Sequence, residues 1–135
     1  MLNAHNLMNT YIAINSSQIE GNIIANTIKD NLSRIINIGD KKTYSNDLYD
    51  YSSCEYSFRS DNLLISDIIE SVKFFVEKNM NDFQSLYKMD NNLSVSLRIV
   101  VELDGKTTPD TFFDSDFLFL LCKIKADLDI DMYYK

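Results

Sequence analysis

The sequence predicts an α+β domain: a mostly antiparallel sheet of about five strands, with helices packed on one face. Three observations lead there. Leu93–Leu103 alternates with period two: Leu93, Val95, Leu97, Ile99, Val101 and Leu103 are apolar, while Ser94, Ser96, Arg98 and Glu102 are polar and Val100 breaks the pattern. Burying six such side chains contributes on the order of 10 kcal/mol before entropy is subtracted, so this strand is expected at the centre of the sheet. Strand-like and helix-like periods interleave in the order β-α-β-β-α-β-α-β, with several connections too short for crossovers. Finally, 135 residues, 45% hydrophobic and 24% charged, suit one globular domain spanning 1–135. No linker, repeat or low-complexity segment divides it.

The first strand is expected over Asn9–Asn15, with apolar groups on both faces. Ser17-Gln18-Ile19-Glu20 has the form of a capping box, and predicts a helix to about Leu32 with Ile19, Ile23, Ile24, Ile28 and Leu32 as its stripe. Ser33–Ile38 follows as a strand stopped by Gly39-Asp40. Asp40–Ser53 is polar and Tyr-rich without a period, and reads as a long loop with room for a short helical turn. In Cys54–Arg59, Cys54, Tyr56 and Phe58 face one way and Glu55, Ser57 and Arg59 the other. A second helix starts within Asp61–Ser66 and runs to about Lys78, carrying Ile65, Ile68, Ile69, Val72, Phe75 and Val76 at helical spacing.

A short helical turn over Phe83, Leu86 and Tyr87 is expected before the central strand. Asp104-Gly105 then starts a turn and Pro109 punctuates a loop. Asp114 or Ser115 caps a third helix, with Phe117, Leu118, Leu121 and Ile124 inward. Leu128, Ile130, Met132 and Tyr134 alternate with Asp127, Asp129, Asp131 and Tyr133 as a final strand. The first helix between two strands suggests a ferredoxin-like βαβ unit.

Net charge is −7. Such a balance argues against direct nucleic-acid binding, whose footprint is basic, and suits either a basic partner or solubility alone. The excess sits late in the chain: Glu102, Asp104, Asp110, Asp114, Asp116, Asp127, Asp129 and Asp131 face only Lys106, Lys123, Lys125 and Lys135. Cys54 and Cys122 are far apart, so no disulfide framework is expected, and Cys122, in an apolar run, reads as a buried thiol. Met1 suggests a whole gene product. The first residues carry no signal-peptide pattern and no apolar run approaches a membrane span, so a cytoplasmic protein away from membranes is expected.

No motif carries catalysis, and no enzyme or cofactor is expected. His5 is the single histidine, and Gly21, Gly39 and Gly105 are too scattered for a phosphate loop. Two Cys and one His are too few for a zinc site. Asp127, Asp129 and Asp131 project from one strand face, about 7 Å apart in succession. Three readings fit them: a hard-cation site, an edge guarded by charge, or an acidic strip for a basic protein. Tyr44, Tyr49, Tyr51 and Tyr56 interleave with Asp47, Asp50 and Glu55. They fit a binding hot spot for Lys- and Arg-rich partners, or tyrosines packed on the sheet edge.

Thr108-Pro109, Phe112, Phe113, Phe117, Leu118 and Leu121, followed by Leu128-Asp129-Ile130-Asp131-Met132-Tyr133, resemble a bacterial family of uncharacterised small domains. Its members end in a helix leading into a strand of the form Leu-Asp-Ile-Asp-Ile-Tyr. The strand Tyr11–Asn15, a helix and Gly39-Asp40 before a variable loop are similar too. Such proteins look like the immunity partners encoded beside polymorphic toxins, including contact-dependent growth inhibition systems. The resemblance implies a small acidic cytosolic inhibitor that blocks one toxin domain, often a basic nuclease. On this reading the partner-binding residues are Asp47, Tyr49, Asp50 and Tyr51 in the loop, and Asp114, Asp116, Asp127 and Asp129 in the last third. The alternative is a small-ligand-binding or regulatory domain without a toxin partner. Neither reading fixes an oligomeric state.

Overall fold

The computed structural model describes residues 7–59, 65–103, 105 and 112–134. The expected α+β architecture is present: five strands form one mixed sheet, and all four helices cover one side of it. The strands are β1 (Leu7–Ser16), β2 (Leu32–Ile36), β3 (Ser52–Phe58), β4 (Ser94–Leu103) and β5 (Ala126–Tyr134). The helices are α1 (Gly21–Thr27), α2 (Ile65–Lys78), α3 (Met80–Met89) and α4 (Ser115–Lys123). The spatial order is β2-β3-β1-β4-β5. Every neighbouring pair is antiparallel except β4–β5, which is parallel.

The centre is therefore β1, and β4 lies next to it. Both have ten residues, but only β1 pairs along most of its length with antiparallel neighbours on either side. The expected βαβ unit exists in split form, because β1 and β2 run in the same direction on the two sides of β3. A second crossover, containing α4, joins the adjacent parallel strands β4 and β5.

Alternation decides which side chains enter the core. Ile12 and Ile14 of β1, Cys54, Tyr56 and Phe58 of β3, and Val95, Leu97, Ile99 and Val101 of β4 all face the helices and are buried. Phe75 of α2 meets Tyr56 at a tilt (5.3 Å between ring centres) and Phe58 edge-to-face (5.2 Å), and meets Phe83 of α3 edge-to-face at 6.2 Å. The hydroxyl of Tyr56 donates to Ile28 O (2.8 Å) and that of Tyr87 to Ile124 O (2.6 Å). Each satisfies a buried or half-buried carbonyl at a helix end. Ser16 Oγ donates to the buried Asp90 at 2.6 Å and accepts from the amide of Ile19, which ties the end of β1 to the turn before β4.

The first helix is much shorter than expected. The hydroxyl that gathers the amides of Gln18 and Ile19 belongs to Ser16 and not to Ser17, so it makes a turn and no capping box. Glu20 occupies the N-cap without a side-chain cap bond. Ile28 has left the helix with extended backbone, and Asn31 turns the chain at φ 65°. Leu32 is thereby free to pair with Tyr56 in β2, and Ile23 faces solvent. A Cβ on Gly21 would sit 2.5 Å from Ile36 O, so only glycine lets α1 start against β2.

Three further expectations are corrected. Residues 80–89 form a full helix where a single turn was expected. In α4, Leu120 faces inward beside Phe117 and Leu121, while Leu118 is exposed; the same rotation turns Cys122 to solvent, so it is no buried thiol. The Tyr-rich loop contains no helical turn: it folds back as a small arm closed by a Lys41–Leu48 bridge and by Tyr49 N–Asp40 O and Gly39 N–Tyr49 O bonds of 2.8 Å. Asp114 caps α4 as expected, its Oδ1 accepting from Phe117 N at 2.8 Å. His5, the Asp61–Leu64 part of the α2 start, Asp104, Thr108-Pro109 and Asp110 lie outside the described residues.

Candidate functional site

Because the helices cover one side of the sheet only, the other side is a second surface, and strand register determines what it carries. Pairing sets Arg34, Glu55, Ala13, Ser96 and Asp127 in one row across all five strands. The next row holds Ser57, Tyr11, Arg98 and Asp129. Beyond it Asn9, Val100 and Asp131 align, and then Glu102 and Tyr133. Carboxylates thus collect on β5, with Arg98 one strand in and the Arg34–Glu55 pair at the opposite, β2–β3 side.

The arm formed by residues 37–51 hangs over the β2–β3–β1 part of this face. Tyr49 and Tyr51 meet edge-to-face at 5.5 Å. With Tyr11, Asn15, Arg34 and Arg98 they line an open cleft of about 240 Å³. The Asn15 Oδ1 atom in it is buried and has no hydrogen-bond partner. Arg98 is held from two sides: its Nε donates to Asp129 Oδ2 at 3.0 Å and its Nη1 to the Tyr11 hydroxyl at 3.2 Å. These contacts, the Tyr11 bond first, push the guanidinium further up its already high range. Arg34 pairs with Glu55 at 3.6 Å. Tyr133 donates to Glu102 at 3.3 Å; the negative charge of Glu102 is the main cause that raises the phenol above its ordinary value.

The sequence-predicted site residues separate into three places. Tyr49, Tyr51, Asp127 and Asp129 belong to the open face or the arm above it. Asp47 and Asp50 are exposed on the arm, where Asp47 O accepts from Lys42 N at 3.0 Å. Asp114 and Asp116 start α4 on the helix side, and the side chain of Asp114 is committed to its cap. The fold therefore does not assemble all eight into one surface. Glu55, read with the Tyr-rich stretch, is on the open face, while Tyr56 of the same stretch is buried in the core; Tyr11, Arg34 and Arg98 join the face from outside the sequence-predicted set. A lone arginine inside the apolar alternation of β4 was the available signal for Arg98; its meeting with Tyr11 depends on long-range register.

Among the described residues, no group of three or more His, Cys, Asp or Glu side chains is placed to hold a metal ion, Asp127, Asp129 and Asp131 included. No described helix is long and apolar enough to cross a membrane. The fold and this face define an α+β protein in which, among the described residues, one side of the mixed sheet carries no helix and only the arm lies over part of it. No protein-family model, curated protein or solved structure matches the chain.

Proposed function

We propose that this chain is an immunity-type protein of the cytoplasm that binds and neutralises a cognate toxin, a basic nuclease (RNase or tRNase) domain. The observation that supports this most is the helix-free sheet face, where Asp127, Asp129 and Asp131 stand in line with Tyr133 on β5, Tyr11 shares the row of Asp129, and Tyr49 and Tyr51 line the cleft beside them over β2, β3 and β1. Tyrosines give large contact area at low entropic cost, and carboxylates complement a groove built for phosphates. Binding there puts the aspartates where the substrate backbone of the nuclease would lie, or covers the surface beside it. The protein then acts by occupancy and performs no chemistry.

The cleft under Tyr49 and Tyr51 favours a second reading, a small-ligand binder, because Asn15 Oδ1 and two arginines converge on it. Capture of the tagged protein from its own cells at low and moderate salt, with mass spectrometry of what is retained, separates the two. A near-stoichiometric basic protein fragment whose retention falls with salt is the expected result. Recovery of the protein alone, from cells shown to contain the neighbouring gene product, overturns the inhibitor reading.

A further inference from the structure

We propose that the outer edge of β5 accepts an extended segment of a protein partner, with Lys or Arg at alternate positions, as a sixth strand of the sheet. This rests on the reading of the chain as a binder of a basic protein, and it says how part of that partner docks. β5 is nine residues long and pairs only with β4, so among the described residues its other edge has no strand partner. An unpaired edge of that length is a template for main-chain hydrogen bonds. Both of its faces are also exposed among the described residues. On the open face stand Asp127, Asp129 and Asp131; on the other Ile130, Met132 and Tyr134 are 37%, 44% and 74% exposed.

The alternation of acid and uncovered apolar side chains specifies the occupant. An added strand would set every second side chain opposite an aspartate and the intervening ones beside Ile130 and Met132. Lysine or arginine on the first face and aliphatic residues on the second complement both. A second copy of this chain does not. Antiparallel self-pairing with continuous faces sets aspartate against aspartate, as Asp129 against Asp131 when the register centres on Ile130, and like charges directly opposite are destabilising. The acids that discourage self-association therefore select a basic segment.

The test uses the full chain and a nine-residue peptide alternating lysine and valine, with a glutamate–valine peptide as control, read by amide hydrogen exchange at low salt. The expected result is that every second amide within Ala126–Tyr134 slows by about ten-fold or more with the lysine peptide and not with the control. The triple variant D127N/D129N/D131N, checked by its unchanged exchange in the absence of peptide, should bind about ten-fold more weakly, chiefly through the exposed charge pairs of Asp127 and Asp131, since Asp129 is already paired with Arg98. Absence of binding, equal binding of the glutamate peptide, or binding that leaves the β5 amides unprotected overturns the proposal. So does protection of the same amides by self-association that grows with salt, which would assign the edge to a second copy. The readout is independent of the toxin: a captured toxin that leaves β5 unprotected removes strand addition alone, and failure to capture a toxin leaves the peptide result standing.

Discussion

Arg98 Nε donates to Asp129 Oδ2 across 3.0 Å and so bridges β4 to the edge strand on the open face of the sheet. Both side chains are about half exposed, at 46% and 51%, so the pair adds less than about 1 kcal/mol to stability. Its consequence is for binding. Asp129 already has a cation, whereas Asp127 and Asp131 make no ion pair among the described residues. A basic partner gains those two carboxylates outright and must displace Arg98 to use the third. Asp127→Asn and Asp131→Asn are therefore expected to weaken binding of the captured fragment more than Asp129→Asn does, each by about two- to five-fold. Arg98→Gln should tighten it. Calorimetric titration at low and moderate salt checks the order, which should compress as salt rises.

Tyr49 and Tyr51 are the arm's contribution. Tyr49 is half-buried and Tyr51 is 36% exposed, and neither belongs to the hydrophobic core behind the sheet. Tyr49→Ala and Tyr51→Ala should shift the urea midpoint little and cost on the order of 2 kcal/mol of partner affinity each. A large loss of stability with unchanged affinity would make the two rings structural.

Gly21 is expected to be intolerant in a way its helical position alone does not explain. At a helix start an alanine is ordinarily harmless or better. Here its Cβ meets backbone, Ile36 O at 2.5 Å, and Asn37 Oδ1 at 2.9 Å. Gly21→Ala should therefore destabilise by about 1–3 kcal/mol as β2 is pushed from α1. Gly39→Ala serves as the comparison: open space surrounds the site, and its cost, about 1 kcal/mol, comes from φ +90° alone. Denaturant unfolding of both variants measures the difference.

Cys54 makes the protein sensitive to alkali. Burial pushes its thiol up from 9.0 to about 11, with a backbone hydrogen bond to Ala25 acting weakly the other way. The folded chain therefore keeps this proton between about pH 9 and 11 while the unfolded chain loses it. Stability is fully present below about pH 9 and falls through that window, on the order of 1 kcal/mol per pH unit. Tyr56, raised by burial and then by its proximity to Cys54, acts in the same direction. Urea titrations at successive pH values should show the decline, and Cys54→Ser should remove its onset near pH 9 and leave the part that Tyr56 contributes above about pH 10. In the native protein a thiol reagent should modify the exposed Cys122 and spare Cys54.

Strand identity was legible in the sequence wherever a two-residue period ran long. The alternation of β4, the Cys54-Tyr56-Phe58 face of β3 and the aspartate ladder of β5 all appear as read. α2 was legible for the same reason at a different period. The failures have physical causes that a local pattern does not contain. Ser17 and Glu20 have the composition of a capping box, but Ser16 is fixed by the buried Asp90, 74 residues away, and wins the amides. The length of Leu93–Leu103 suggested a central strand, and β4 is indeed flanked on both sides, but the middle position depends on long-range pairing: β3 and β2 add beyond β1, while only β5 adds beyond β4. The acidic last third looked like one surface. The turn between α4 and β5 divides it, leaving Asp114 and Asp116 on the helix side and Asp127, Asp129 and Asp131 on the open one.

Under the proposed function the open sheet face, and not the helix side, receives the basic partner, and the division of the acids lets the two be separated. The captured fragment should be titrated against D127K/D131K and, in parallel, against D116K, which changes charge at the start of α4 without touching its cap. At least about a ten-fold loss of affinity is expected for the first variant and little change for the second. Loss confined to D116K, with D127K/D131K binding as the wild type does, would contradict that reading.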